Sequence, residues 1–345
     1  MNSYDIQSMN IDEVNSILKE YGEKSFRAKQ IFQWLHEKQS KSYDMMTNIP
    51  VGLKERLQTD YPLTQLKEVA KNEDLQDKTV KYLFELEDGQ LIETVLMSYK
   101  YGYSVCISSQ VGCRMGCTFC ASTLNGLTRQ LLPSEMLEQI YHIERQLEEP
   151  IHSVVIMGTG EPFDNYENLQ RFIELISYEK GRNLSRRHIT VSTCGIIEKI
   201  QRFSLDSPQV NLAISLHSPY QEQRADMMPI AKKNELHDLI QTCHEYVRQT
   251  GRRISFEYSL IHNVNDTKQH ALDLADLLKG LLCHVNLIPI NPVDEKEQEA
   301  SDQDHVLKFQ KILGNHNIIS TIRRSLGQNI DAACGQLRNQ YRKNL

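Results

Sequence analysis

Cys113, Cys117 and Cys120 lie four and three residues apart in one short run, Cys113-Arg-Met-Gly-Cys117-Thr-Phe-Cys120. Thiolates at this spacing suit a cubane 4Fe-4S cluster, in which neighbouring iron corners each take one sulfur from a compact loop. Three protein ligands for four irons leave one iron open to an exogenous ligand, and that open corner turns an electron carrier into a catalyst. Structural zinc is the competing use of close cysteines, but it closes with four protein ligands. Here no histidine lies between His36 and His142, and no second cysteine pair stands at finger spacing.

Holding such a loop over a reactive site requires a frame, and the chain from about residue 103 supplies one. Short apolar runs alternate with amphipathic stretches. The strand candidates are 104–108, 153–157, 188–192, 210–216, 254–260 and 284–288; the helices between them include Leu169/Phe172/Ile173/Ile176 and Ala271/Leu274/Leu277/Leu278. Repeated strand–helix units of this kind build a parallel sheet buried on both faces. Six units are too few for a closed eight-fold barrel, so the fold class expected is α/β, a partial (βα)6 barrel with its site at the carboxyl ends of the strands. Residues 1–75 read as a small helical domain, with Ile11, Val14, Ile17 and Leu18 on one helix face, and Ala28, Ile31, Phe32 and Leu35 on a second helix that Ser25 is placed to cap. Residues 76–102 read as a β-hairpin extension turning at Asp88-Gly89. The barrel is assigned to 103–300, and 301–345 to a C-terminal segment with a basic tail.

The residues after each strand are polar. Strand one ends at Ser108-Ser-Gln110 before the cysteine loop, and strand two in Gly158-Thr-Gly160-Glu161-Pro162. Strand three ends at Ser192-Thr-Cys-Gly195, strand four at Ser215-Leu-His217 and strand six at Asn291-Pro292. The glycine pair lacks the third glycine of a dinucleotide-binding fingerprint; a glycine pair followed by a carboxylate suits close backbone approach to a ligand amine.

At this point the chain resembles a known family. The three-cysteine run with a glycine–glutamate strand end is similar to radical S-adenosylmethionine (SAM) enzymes. More closely, Cys106-Ile-Ser-Ser-Gln-Val-Gly-Cys113, Met157-Gly-Thr-Gly-Glu-Pro162, Ser215-Leu-His217 and Asp331-Ala-Ala-Cys334-Gly-Gln-Leu337 resemble the RlmN/Cfr family of RNA adenine methyltransferases, from about residue 10 to the C-terminus. The resemblance implies one 4Fe-4S cluster on Cys113, Cys117 and Cys120, with the amino and carboxylate groups of SAM on the open iron. It makes Gly160, Glu161, Ser192, Ser215, Leu216, His217 and Asn291 cofactor contacts. It also makes Cys334 a cysteine that is itself methylated, Cys106 its redox partner through a transient disulfide, and Glu93 a candidate proton acceptor. Two SAM molecules serve each turnover: one methylates Cys334 and the other generates the radical that activates the S-methyl group for addition to the base. The substrates implied are an unpaired adenosine of 23S rRNA (adenosine 2503) and adenosine 37 of tRNA, methylated at carbon 2. Within the family the alternative is methylation at carbon 8, the Cfr reaction. Pro162 after the glycine–glutamate motif favours carbon 2, whereas Pro208-Gln-Val-Asn-Leu212 and Ser215-Leu-His-Ser-Pro-Tyr220 look closer to Cfr. A cluster-bearing RNA-binding module without catalysis is the reading from another class; it leaves Cys106, Glu161 and Cys334 without roles.

Composition sets the outer bounds. At 345 residues, 40% apolar and 24% charged, the chain is of ordinary globular type. No apolar run approaches the roughly 20 residues a membrane helix needs, and the N-terminus lacks a basic-then-apolar signal. A cytoplasmic monomer with no membrane association is expected. Eight cysteines in this length are no disulfide scaffold. The net charge of −6 excludes a globally basic nucleic-acid binder, but phosphate contacts need only local charge. Arg186-Arg187-His188, Arg252-Arg253 and the tail from Arg323 onward offer it. The remaining partner implied is a low-potential reductant such as flavodoxin or ferredoxin.

Overall fold

The structure, a computed structural model, describes residues 5–289 and 300–323. Asn291 and Cys334 lie outside the described residues. The chain opens with helices α1 (Ile11–Glu20), α2 (Phe26–His36) and α3 (Val51–Asp60). Asn10 caps α1: its side chain accepts the Asp12 and Glu13 amides, while the Glu13 carboxylate accepts the Asn10 amide at 2.7 Å. Ser25 precedes α2 but makes no capping bond. Its backbone is already helical (φ −55°, ψ −28°), and a capping side chain needs extended φ/ψ. Val14, Leu18, Ala28, Ile31 and Leu35 form one small core with Leu53 and Leu57.

The helical reading of 1–75 does not extend past α3. Lys67–Glu73 is a strand, β1, antiparallel to β2 (Val80–Glu85). Its sequence, Lys-Glu-Val-Ala-Lys-Asn-Glu, has little strand propensity and is largely exposed, as charged edge strands are. Pairing, not propensity, makes it a strand. β2 and β3 (Leu91–Tyr99) form the hairpin around Asp88-Gly89, and β3 pairs antiparallel with β4 (Gly102–Cys106), opposing Val95 to Cys106.

The cysteine loop leaves from β5 (Gln110–Gly112) and returns through β6 (Leu127–Gln130), a two-stranded ribbon that clamps its base. Helix α4 (Pro133–Leu147) follows. Then come β7 (Ser153–Ile156), α5 (Tyr166–Ser177), β8 (Ile189–Thr193), α6 (Ile197–Asp206) and β9 (Asn211–Ser215). Two helices, α7 (Gln221–Met227) and α8 (Leu236–Thr250), precede β10 (Ile254–Leu260); α9 (Lys268–Leu277), β11 (Cys283–Pro289), α10 (Gln303–Asn315) and β12 (Ser320–Ile322) complete the described chain. All six expected strands are present and parallel, in the order β4-β7-β8-β9-β10-β11. β12 adds an unexpected seventh parallel strand beside β11, and β1–β3 extend the other edge. β12 ends the run Ile318-Ile-Ser-Thr-Ile322, rich in β-branched residues, a strand signal present in the sequence although no seventh strand was expected there. Alternating βα units force the chain to cross over after each strand, so all carboxyl ends open on one side. No helix among the described residues is long and apolar enough to cross a membrane.

The N-terminal helices are bonded to the sheet layer. Asp5 accepts the Ser134 hydroxyl at 2.7 Å, Arg171 pairs with Glu13 at 2.8 Å, and His36 Nδ1 lies 3.2 Å from the Tyr141 hydroxyl. Burial holds His36 neutral by lowering its pKa from 6.5 to about 3. The unfolded chain takes up this proton below about pH 6.5 and the folded chain does not, so stability falls as pH drops through that window. Between pH 7.5 and 5 this group alone should remove about 2 kcal/mol. Denaturant midpoints of the wild type and His36→Gln at both pH values test this; the acid loss should be smaller by that amount in the variant.

Candidate active site

A cavity of about 360 Å³ opens at the carboxyl ends of the parallel strands, within the size range of cofactor pockets. Cys113, Cys117 and Cys120 line it, as do Cys106, Gly160, Glu161, Ser192, Ser215 and His217. The structure thus brings together nine of the residues singled out from sequence. Leu216 is buried in the core behind the wall and binds through its backbone, its N–H donating to Glu257 O at 3.0 Å.

The cysteine loop is shaped by its own backbone. The Cys113 amide donates to Gly126 O (3.0 Å), and the Thr123 hydroxyl donates to Cys117 O (3.1 Å) and Cys120 O (2.9 Å). The Thr118 amide ties the loop to the end of α7 through Met227 O (2.9 Å). Burial, reinforced by neighbouring acids and thiols, pushes the Cys113 thiol up to about 12 and raises that of Cys117 too. The thiolate forms therefore need a cationic group beside them, as metal binding supplies. All three thiols line one cavity; three ligands leave a structural zinc one short of its four, whereas a cubane takes three and keeps one iron open.

The glycine–glutamate strand end is explained first by packing. A Cβ on Gly158 would meet Ile107 O at 2.6 Å; one on Gly160, where φ is +114°, would meet Gln110 Cβ at the same distance. The end of β7 thus lies directly over the residues that follow β4. The Glu161 carboxylate accepts the amides of Phe163 (3.0 Å) and Cys194 (2.8 Å), joining the ends of β7 and β8, and its own amide donates to Gln110 Oε1 at 2.7 Å. Burial raises its pKa, and these bonds to the ionised form oppose the rise. His217 stands at φ +59°. Its Nδ1 accepts the Ser259 amide at 3.0 Å, so Nε2–H is the ring's one donor, and burial with the nearby Arg224 charge lowers its pKa to about 3. Phe119 of the cysteine loop packs edge-on against this ring at 4.7 Å.

Glu93 does not line the cavity. It forms a buried ion pair with Lys81 (3.2 Å) on the sheet face that carries Val95 toward Cys106.

Three groups escaped sequence reading. Glu257, in the apolar strand β10, lines the cavity and accepts the Asn286 side-chain amide at 3.0 Å; an acid inside such a run was a readable signal. Cys194, assigned from sequence to the core or to no role, lines the cavity beside Cys117, whereas Cys243 and Cys283 do lie in the core. Arg323 also reaches the cavity. The basic clusters Arg186-Arg187-His188 and Arg252-Arg253 precede β8 and β10. They stand at the amino ends of parallel strands, away from the mouth where a bound base would enter, and Arg252 bonds to Asn211 there.

Comparison with known proteins bears on this arrangement. Residues 107–276 match the radical SAM superfamily, and residues 4–61 match the ribosomal RNA large subunit methyltransferase N-terminal domain. The chain is 50% identical over 337 residues to a probable dual-specificity RNA methyltransferase RlmN of Lachnoclostridium phytofermentans, covering 98% of this chain and 95% of that one. The same identity holds over 341 residues with the like-named protein of Bacillus subtilis, covering 98% and 94%. The chain belongs to the RlmN family. A radical SAM methyltransferase from Sphaerobacter thermophilus has the same fold, with a TM-score of 0.93 and 41% identity over 96% of this chain and 98% of that one. A 4Fe-4S cluster and SAM follow from membership of the RlmN family. The three cavity-lining thiols fit that cluster, which when bound supplies the electron that cleaves SAM.

Proposed function

We propose that this protein methylates carbon 2 of unpaired adenosines in 23S rRNA and tRNA through an S-methylcysteine at Cys334. The observation that carries the reading is Cys106. A radical generator alone needs no further thiol at its centre, yet the Cys106 side chain lines the same cavity as the three cluster cysteines. RlmN relatives of 50% identity, named for dual RNA specificity, support the two substrates.

Carbon 2 of adenine is electron-poor, so polar transfer from a sulfonium fails there and a carbon radical is required. Cys334 carries the methyl group and, once activated as a carbon-centred radical, bonds to the base; the unpaired electron of that adduct must then leave to an acceptor, a role the cluster would fill when bound. The ring proton goes to a base, and Glu93 takes it only after leaving its ion pair with Lys81, which lies outside the cavity lining. The Cys106 thiolate then attacks the thioether sulfur of Cys334. The C–S bond to Cys334 breaks, methyladenosine leaves with the bonding electrons and a proton, and a Cys106–Cys334 disulfide remains. Two electrons from a cellular thiol reductant restore both cysteines. Ser192, Ser215, His217 and Asn291 hold SAM, with Gly160 offering backbone groups and Glu161 fixing the strand end beside it. The base must be out of its stack to enter, and the N-terminal helical domain grips RNA around it. Flavodoxin or ferredoxin delivers the electron, and the enzyme acts as a cytoplasmic monomer.

The two methyladenosine isomers have equal mass, so the product must be run against standards of both. We expect 2-methyladenosine, and loss of deuterium from substrate labelled at carbon 2 but not at carbon 8. The opposite labelling result would move the protein to carbon-8 chemistry.

A further inference from the structure

Arg224 heads the large side chains that are fully buried, with no exposed surface. It enters from α7, and its Nη2 donates to Cys194 O (2.7 Å) and Ser215 O (3.2 Å), the ends of β8 and β9. Its Nε and Nη1 are buried without hydrogen-bond partners, and no carboxylate among the described residues pairs with it. A guanidinium does not shed its proton in proteins, so a whole positive charge lies buried without an ion-pair partner among the described residues. Cys194, whose carbonyl Arg224 binds, packs in one buried cluster with Cys117 and Cys120 of the cysteine loop at the cavity wall. Hydrogen bonding alone does not account for a guanidinium here, because one of its three nitrogens does all the donating. The same helix ends on the cysteine loop through the Thr118–Met227 bond.

We infer that Arg224 is the built-in counter-charge of the iron–sulfur site, a positioning residue that favours the reduced cluster. Three thiolates outweigh the positive iron–sulfide core, and each added electron makes the assembly more negative. A fixed cation held on the carbonyls of Cys194 and Ser215 beside the site, shielded from water, stabilises the reduced form more than the oxidised one. Burying an uncompensated charge is costly, and the anionic cluster is the partner that offsets it. The inference does not depend on which carbon of adenine is methylated.

The test is a potentiometric titration of the anaerobically reconstituted full-length protein. Dithionite serves as reductant, the reduced cluster is followed by electron paramagnetic resonance, and iron and sulfide are assayed alongside. Arg224→Gln removes the charge; we expect its reduced-to-oxidised ratio at a fixed potential to fall about tenfold, a midpoint about 59 mV lower for one electron. Arg224→Lys keeps the charge without the fork to both carbonyls, and its ratio should stay within threefold of wild type. A fully loaded Arg224→Gln protein within threefold of wild type would overturn the inference, as would Arg224→Lys falling as far as Arg224→Gln. If Arg224→Gln does not take up iron, Arg224→Lys decides alone: a ratio within threefold of wild type supports the counter-charge and a tenfold fall refutes it.

Discussion

Replacing Cys113, Cys117 or Cys120 with alanine should abolish SAM cleavage. The wild-type protein, reconstituted without oxygen, should carry about four irons and four sulfides per chain, as a cubane does. Each of the three thiols lines the cavity from a loop whose backbone is already closed by the Cys113–Gly126 and Thr123 bonds. Losing one sulfur leaves two ligands for four irons, and Cys194, the further thiol beside Cys117, stands after β8 and outside the cysteine loop. Iron retention should fall steeply, and release of 5′-deoxyadenosine should drop to background because the electron has no other route to SAM. Removing iron from the wild type with a chelator should do the same. Stoichiometric zinc without iron in anaerobically purified protein would falsify the assignment.

The second large effect separates the two proposed catalytic cysteines. Cys334→Ala should neither acquire a methyl group nor attach to RNA. Cys106→Ala should do both and then stall, because the thiolate that breaks the thioether is missing. The stalled species is a covalent protein–RNA adduct, visible as a gel shift that nuclease abolishes. Cys106 is well placed to be decisive: it ends β4, opposite Val95 and Val155, with its side chain at the cavity. Normal turnover of Cys106→Ala without adduct would remove it from the mechanism.

What could be read in advance was what is encoded locally. The cysteine spacing, the Asp88-Gly89 turn and the apolar runs of β4 and β7–β11 are signals within a few residues of chain, and the hairpin and all six parallel strands stand where they were expected. Strands that exist because of their neighbours were not legible. β1, mostly charged around Val69-Ala70, is recruited by β2, and the β5–β6 ribbon is held by the closure of the cysteine loop; β12 differs, because the β-branched run Ile318–Ile322 did carry a local signal. Ser25 shows the converse. Its residue type fits a cap, but its backbone geometry does not.

The site divides the same way. The sequence by itself determined that there would be a three-thiol loop, polar strand ends and a parallel sheet whose crossovers turn every carboxyl end to one side. Tertiary structure decided which groups face the cavity and which are used up inside the protein. It pairs Glu93 with Lys81, commits both Glu161 oxygens to backbone amides, brings Cys194 and Glu257 to the wall, and seats Arg224 on the carbonyls of Cys194 and Ser215. It also sets the Arg186 and Arg252 clusters at the far ends of their strands. Residue type and short spacing specify chemistry because ligand geometry and turns act over a few bonds. Burial, charge balance and hydrogen-bond partners depend on segments tens to hundreds of residues apart, and only the folded chain brings those together.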